Sequence, residues 1–528
     1  MRDFCLPGRS PVVAENGMAA TSHPLATATA LAVLKDGGNA VDAAIAASAT
    51  LCVVEPHMTG IGGDCFVILA EPDGSVHGLN GSGRAPAGAS AAWHRERGVT
   101  EMPQTGAHSV TVPGAVRAWE TLLARFGTRG FDALFSDAIR YGEDGFAVHP
   151  RVARDWVRHV APLGADAGGA LHCLADGRAP AAFSRHRFPA LAGTLKAIAK
   201  GGADAFYEGP IAAEMAATVR AGGGFLDEAD LAGASADWVA PIATTYRGHE
   251  VLEIPPNGQG ITALILLNLF SELGIEALEP DGVERRHLMI EAGRLAYAVR
   301  DHLVADPATM TVAAETLAAP AYARALAAQF DPSRRNPAIT LPRVPKADTV
   351  YLTVVDRDRR AVSFINSLYS GFGAKIVTPR FGIALQNRGA CFTLEEGHPN
   401  ELAPGKRPMH TIIPAMTMRG GRASCALGVM GGDYQPMGHA HVLSNMLDCG
   451  MDPQAAIDHA RLFWGEDGVL EAETGIDAGT RAGLAALGHA LREAASPHGG
   501  AQAIAIDHES GFLIAGSDPR KDGLALGW

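Results

Sequence analysis

Cysteine is scarce and unpatterned: seven in 528 residues, at positions 5, 52, 65, 173, 391, 425 and 449. An odd, scattered set with no CxxC argues against a disulfide framework and predicts reduced thiols in the cytoplasm. HExxH is absent too, and the histidines of Gly438-His439-Ala440-His441 lie two apart, which on a helix points them to different faces. No metal and no organic cofactor is therefore expected. Positive charge is in deficit, 44 Lys and Arg against 57 Asp and Glu for a net −13, and no basic patch is interleaved with aromatics. Nucleic acid is thus not expected as a partner. Charged residues reach only 19% while hydrophobic ones make up 47%, which excludes a disordered chain. No apolar run is long enough to cross a bilayer, and Met1-Arg2-Asp3-Phe4-Cys5-Leu6-Pro7-Gly8-Arg9 has neither an apolar h-region nor a small-residue cleavage site. Neither a membrane nor a secretory route is expected. No internal repeat is found.

What the chain does contain is an alternation of apolar strands and small-residue helices. Ser22-His23-Pro24 opens a helix that runs to Lys35 and stops at Asp36-Gly37-Gly38; Asn39 caps a second, from Ala40 to about Cys52. Alanine on every face of both predicts a closely packed, buried pair. The glycines of Thr59-Gly60-Ile61-Gly62-Gly63 lack the lysine of a phosphate loop, so a tight turn before the buried strand Asp64–Leu69 is expected. Residues 130–235 read as mostly helical, and further helices are predicted over Ile261–Leu273, His287–Leu303, Met437–Cys449 and Pro453–Leu462. Strands are predicted at Glu250–Ile254, Ala361–Ile365, Ile383–Gln386, Thr411–Met418, Ser424–Val429, Ala503–Asp507 and Phe512–Ala515. Such alternation favours stacked layers of sheet and helix.

One stretch stands out chemically, Lys346-Ala347-Asp348-Thr349-Val350-Tyr351-Leu352-Thr353-Val354-Val355-Asp356. A segment with Pro332, Pro337, Pro342 and Pro345 cannot be helix or central strand, so an exposed, flexible segment should run into a strand beginning at Thr349. Thr349 has two readings at this point. It starts a strand, as threonine often does. Alternatively the chain is cut at Asp348-Thr349, and the freed α-amine, titrating near pH 7.7–8.0, serves as the base for the hydroxyl on the same residue.

The stretches Gly37-Gly38-Asn39-Ala40-Val41-Asp42-Ala43-Ala44, Thr59-Gly60-Ile61-Gly62-Gly63, Val112-Pro113-Gly114, Pro255-Pro256-Asn257-Gly258-Gln259-Gly260, Pro404-Gly405-Lys406-Arg407-Pro408 and Met430-Gly431-Gly432 together resemble the γ-glutamyltransferase family, in the family's order and over essentially the whole chain. The resemblance implies an α+β fold, the four-layer αββα sandwich of N-terminal-nucleophile hydrolases. It also implies a proenzyme that cuts itself into a large subunit, 1–348, and a small catalytic one, 349–528. Both would remain in one core, and a dimer of such heterodimers is compatible with the family. Thr349 matches the nucleophile, Ser367 the hydroxyl residue that hydrogen-bonds it, and Gly431 and Gly432 the pair whose amides form an oxyanion hole.

Departures fall where the family grips an amino acid. The arginine of an Arg-x-x-Ala-Pro-like loop is Ser82, with Arg84 two residues on; an asparagine is Tyr369; the acid that holds the α-ammonium is Cys391, after Asn387 and Arg388; paired serines are His410 and Thr411. A ligand carboxylate without its arginine loses a bidentate contact, and an ammonium without its acid is left unpaired. Arg84, Arg388 and His410 make the remaining site more cationic. Arg388 reads either as a substrate anchor or as a surface or inter-subunit salt bridge, and Tyr369 either as pocket lining or as a buried tyrosine. The resemblance thus points to an amidohydrolase acting on a small anionic amide, similar to the branch with oxamate amidohydrolases and cephalosporin acylases. Its rivals are a γ-glutamyltransferase or glutathione hydrolase with a different clamp, and a relative that never cleaves itself and serves as a scaffold.

Overall fold

The computed structural model describes residues 8–339 and 348–528. Met1–Pro7 and the end of the proline-rich segment, with Pro342 and Pro345, lie outside the described residues. In chain order the principal strands are β1 (Val12–Ala14), β2 (Met18–Thr21), β3 (Asp64–Ala70), β4 (Val76–Gly81), β5 (Asp237–Val239), β6 (Ile242–Tyr246), β7 (His249–Glu253), β8 (Asp348–Val355), β9 (Ala361–Tyr369), β10 (Ala415–Arg419), β11 (Arg422–Met430), β12 (Gly500–Ile506), β13 (Leu513–Ser517) and β14 (Leu524–Gly527). They form two seven-stranded sheets, ordered β1-β13-β12-β11-β10-β7-β6 and β14-β2-β8-β9-β3-β4-β5. Every neighbouring pair in both is antiparallel.

An antiparallel strand with one wet face alternates apolar and polar residues, but β3 and β9 are buried along their whole length. They are covered twice. One face packs on the other sheet, where Tyr351 of β8 lies against Gly428 of β11 so closely that a side chain on Gly428 would collide with the ring. The Tyr351 hydroxyl is satisfied by Ser363 Oγ at 2.7 Å, so this large ring carries no unpaired polar atom into the core. On the other face lie helices α1 (Pro24–Lys35) and α2 (Ala40–Val54), all fifteen residues of α2 being buried. Helices α3 (Gly260–Glu272), α4 (Val283–Leu303) and α5 (Gln435–Leu447) cover the first sheet. The expected αββα sandwich is the fold observed.

Two strand expectations need correction. Ile383–Gln386 forms no strand: Leu385 makes a single bridge to Gly62 and Ala384 one to Val377, because both edges of β3 are already taken by β9 and β4. The strand expected from Thr411 begins at Ala415, since the Thr411 carbonyl and the Ile413 amide are engaged by Gln259 and Gln435. His439 and His441 do fall within a helix, α5, and both serve the core: His439 bonds Glu253 at 2.7 Å and His441 bonds Asn445 at 3.1 Å. Residues 331–339 are irregular, as their prolines require, but they are not loose. Glu291 and Arg294 of α4 reach across to the Asn336 amide and carbonyl at 2.8 and 2.9 Å.

Candidate active site

Thr349 is wholly buried at the start of β8, in the middle of its sheet. Between the pairs Asp348↔Tyr369 and Val350↔Asn366, β8 advances by two residues and β9 by three. This bulge sets Ser367 and Leu368 opposite Thr349 alone, and bulges re-aim side chains in just this way. The Thr349 and Ser367 hydroxyls meet at 3.1 Å, while the Tyr369 amide donates to Ser367 Oγ at 2.8 Å. Tyr369 has a φ of 79°, an outlier for a bulky residue, which marks where β9 breaks to turn its side chain into the site.

Ser367 is seated by the glycine turn. A side chain on Gly63 would overlap the Ser367 carbonyl, and one on Gly62 the Ala384 carbonyl. These glycines serve close packing, consistent with the tight-turn reading. Beside Ser367, in register on β3, Asp64 gathers donors: Oδ1 accepts from the amides of Gly83 and Gly114 at 2.9 and 3.1 Å and from Gln386 at 2.9 Å. Its Oδ2 accepts from His410 Nε2 at 2.9 Å, and His410 Nδ1 accepts the Ile412 amide at 3.3 Å. Both ring nitrogens are thus committed. Burial, with Arg388 nearby, pushes His410 down to about 3 despite Asp64. His410 is therefore neutral and adds no positive charge, a correction to the cationic reading.

Arg388 does carry the charge. Its side chain is fully buried between Thr411 Oγ1, at 2.8 Å from Nη1, and Ser367 Oγ, at 3.4 Å from Nη2. The guanidinium lies over the Tyr369 ring at 4.4 Å, with Cys391 Sγ at 3.8 Å from Nη1. Nε has no partner, and no carboxylate lies within ion-pair distance among the described residues. Arg388 is thus buried and, among the described residues, in no salt bridge, contrary to that alternative. Taking a charge out of water without a counter-ion costs several kcal/mol. Neutral hydroxyls, a thiol and an aromatic face offset only part of it.

At the end of β11, Gly431 (φ 118°) and Gly432 (φ 58°) adopt left-handed conformations that only glycine takes easily. The carbonyls of the turn are taken from behind: Gly431 by the Tyr434 amide at 3.1 Å, Gly432 by Gln259 Nε2 at 3.0 Å, and Asp433 by the Tyr297 hydroxyl. The amides of Gly431 and Gly432 donate to no described residue. Successive free amides of this kind form a cradle for negative charge. Arg300 of α4 braces the turn, bonding Asp433 Oδ1 at 2.5 Å and Gln259 Oε1 at 2.8 Å.

Other expected residues sit apart. Ser82 is buried in a polar network, accepting from Asn257 Nδ2 at 3.0 Å. Asn387 ties loops together, reaching the Gln104 carbonyl at 2.7 Å and Ser370 Oγ at 3.0 Å. Arg84 follows β4, three strand spacings or roughly 14 Å along the sheet edge from Thr349. Half exposed, it pairs loosely with Asp237 at 3.6 Å and lines an outer cleft of ≈ 220 Å³ with Pro113, Asp230, Ser235 and Gly405. The structure brings together Thr349, Ser367, Tyr369, Arg388, Cys391 and Thr411, but not Arg84.

With this geometry in place, the comparison with known proteins is direct. The gamma-glutamyltranspeptidase family profile matches residues 26–528. The chain belongs to that family. It is 36% identical to the glutathione hydrolase-like YwrD proenzyme of Bacillus subtilis and 34% identical to the oxamate amidohydrolase proenzyme of Klebsiella pneumoniae, each over 98% of this chain and 99% of the relative. Among solved structures, cephalosporin acylase from Bacillus halodurans superposes with a TM-score of 0.93 at 38% identity, covering 100% of this chain and 99% of that one. Members of the family are hydrolase and acyltransferase enzymes made as proenzymes.

Sequence reading missed Asp64, Arg300 and Asp433. Asp64 heads an otherwise apolar run and Asp433 directly follows the glycine pair, so a buried-polar signal was present in both. Asp433 also tempers the expectation of a more cationic site, since it adds a buried carboxyl beside the glycine pair. Burial raises its carboxyl, Arg300 pulls it back, and Arg388 acts in the same direction as Arg300.

Proposed function

We propose that the chain is an autoprocessing threonine amidohydrolase that hydrolyses the amide of a small anionic, oxamate-like substrate. The observation that carries this reading is the buried guanidinium of Arg388, without a carboxylate partner among the described residues, beside the Thr349–Ser367 hydroxyl pair. A guanidinium offers a fork of donors matched to a carboxylate. Cleavage between Asp348 and Thr349 gives subunits 1–348 and 349–528 and frees the α-amine. That amine takes the Thr349 hydroxyl proton, directly or through a water, and the oxygen attacks the amide carbonyl. Negative charge develops against the Gly431 and Gly432 amides, amine or ammonia leaves, and water then hydrolyses the acyl-enzyme. Ser367 holds the nucleophile's rotamer, and Arg388 with Thr411 fixes the substrate's anionic end.

A second reading, a glutathione hydrolase or γ-glutamyltransferase, draws support from Asp433, whose carboxylate could meet an α-ammonium in place of the acid absent at Cys391. The intact mass of denatured wild type and Thr349→Ala tests processing: two fragments parting at Asp348-Thr349 are expected for the wild type, one chain for the variant. A persistently whole wild type would favour the scaffold relative. Next, kcat/KM on oxamate, a glutaryl amide and a γ-glutamyl anilide sorts the substrates, and selective turnover of the γ-glutamyl compound would overturn the anionic-amide reading.

A further inference from the structure

We infer that the free carboxylate oxygen of Asp433 accepts the N–H of the substrate's scissile amide, making Asp433 a specificity-determining residue that selects amides over esters of the same acyl group. This rests on the amidohydrolase reading above. Asp433 is 3% exposed, and its two oxygens are treated unequally. Oδ1 is fastened to Arg300 Nη1 at 2.5 Å, whereas Oδ2 has no hydrogen-bond partner among the described residues. A carboxylate has acceptor sites on both oxygens, and leaving one buried and unmade is costly. The side chain is held by Arg300, and the backbone that carries it by Gln259, Tyr297 and the Tyr434 amide, which take the carbonyls of the turn.

Burial, with a smaller contribution from the charge of Asp433, raises the Tyr369 and Cys391 side chains, and Arg388 in turn lowers Asp433. Yet Asp433 and Arg388 form no ion pair; the acid's ion pair is with Arg300. Gln259 Nε2 joins the Thr411 carbonyl at 2.6 Å to the Gly432 carbonyl at 3.0 Å, and Thr411 holds Arg388 at 2.8 Å. The acceptor on the Asp433 turn and the donor fork of Arg388, both buried and both incompletely satisfied among the described residues, are therefore neighbours. In an amide whose carboxylate neighbours the scissile carbonyl, the anion and the N–H lie close together. Anchoring the carboxylate on Arg388 brings the N–H towards Asp433. An ester offers no such donor, so its binding would leave Oδ2 unpaired, the arrangement by which sites reject an analogue lacking one hydrogen.

The test compares kcat/KM for oxamate and for the ethyl monoester of oxalic acid, which share the oxalyl group, on processed wild type and Asp433→Asn. The asparagine keeps an acceptor for Arg300 and turns the free oxygen into a donor. The amide-to-ester ratio is expected to fall about 10–100-fold in the variant. Equal losses on both probes would show that Asp433 only braces the turn, and would overturn the inference. A measurement on wild type alone covers a variant that does not fold: N,N-dimethyloxamate, which lacks an N–H, should be turned over at least about 10-fold less than N-methyloxamate, and equal turnover overturns the inference. A processed wild type that cleaves no oxalyl compound refutes the oxamate-like substrate, and the inference with it, before any variant is made.

Discussion

Arg388 concentrates the electrostatics of the site in one side chain. A guanidinium without a carboxylate neighbour is expensive to bury, and Thr411, Ser367 and Tyr369 hold it in place instead of neutralising it. Replacing it separates charge from shape. Arg388→Lys keeps the charge but loses the fork, and Arg388→Met keeps much of the volume but neither charge nor donors. For an anionic amide, KM should rise about 10–100-fold in Met and less in Lys, with a neutral amide far less affected. Equal effects on both substrates would place Arg388 in the scaffold. His410 teaches the opposite lesson. A histidine beside an active-site loop looks cationic in a sequence, but its charge depends on which nitrogens are already bonded. The Ile412 amide and Asp64 decide that, and Asp64, which takes the other nitrogen, lies 346 residues away in the chain.

At the scale of elements, the nucleophile's setting depends on one irregularity, the bulge that sets two residues of β9 against Thr349, and on the glycine turn behind it. Gly63→Ala would drive a methyl into the Ser367 carbonyl. It should destabilise the protein by about 1–3 kcal/mol and slow processing, read as a lower Tm and a longer-lived intact chain on denaturing gels. Unchanged processing would separate the turn from the nucleophile's geometry. The turn was legible from its glycines and the missing lysine, and α1 and α2 from their caps and alanines. The bulge was not, because pairing register is a property of two strands and no spacing within one of them reports it. For the same reason Ile383–Gln386, apolar enough for a strand, found no open edge to join. Thr349 and the glycine pair were legible as chemistry, whereas Asp433 and Arg300 act through a contact between the turn after β11 and α4 that only the packed layers create.

For the whole molecule, burial sets the pH response. Desolvation pushes His57, His410 and His489 down to about 3 and His159 to about 4, against an ordinary 6.5. Below pH 6.5 the unfolded chain takes up protons on these residues that the folded chain refuses, so stability is full above that pH and is lost as the pH falls towards 4. Glu55, pushed up to about 7 by burial, opposes this: it stays protonated in the fold where the unfolded chain would ionise. Burial raises Asp230, Glu253, Asp356, Asp433 and Asp458 as well, but it also lowers His23, His77, His108, His186, His249, His441, His459 and His498, so the histidines outnumber the carboxyls and the acid side loses. Tm should fall by several degrees between pH 6.5 and 5, and a flat profile by calorimetry would refute the account.

Both sheets combine strands from either side of the Asp348-Thr349 bond: β8, β9 and β14 pair with β2 and β3 in one, and the block β10 to β13 lies between β1 and β7 in the other. A chain cut there would hold together as firmly as before, since no pairing crosses only through the severed bond. The loss would be one of information. While the backbone is continuous, each strand finds its neighbours as parts of one tethered object; once it is cut, the same search becomes an encounter between two solutes. After heat or denaturant, a cut form would therefore recover its arrangement more slowly than the uncut chain, and with a dependence on concentration that the uncut chain lacks.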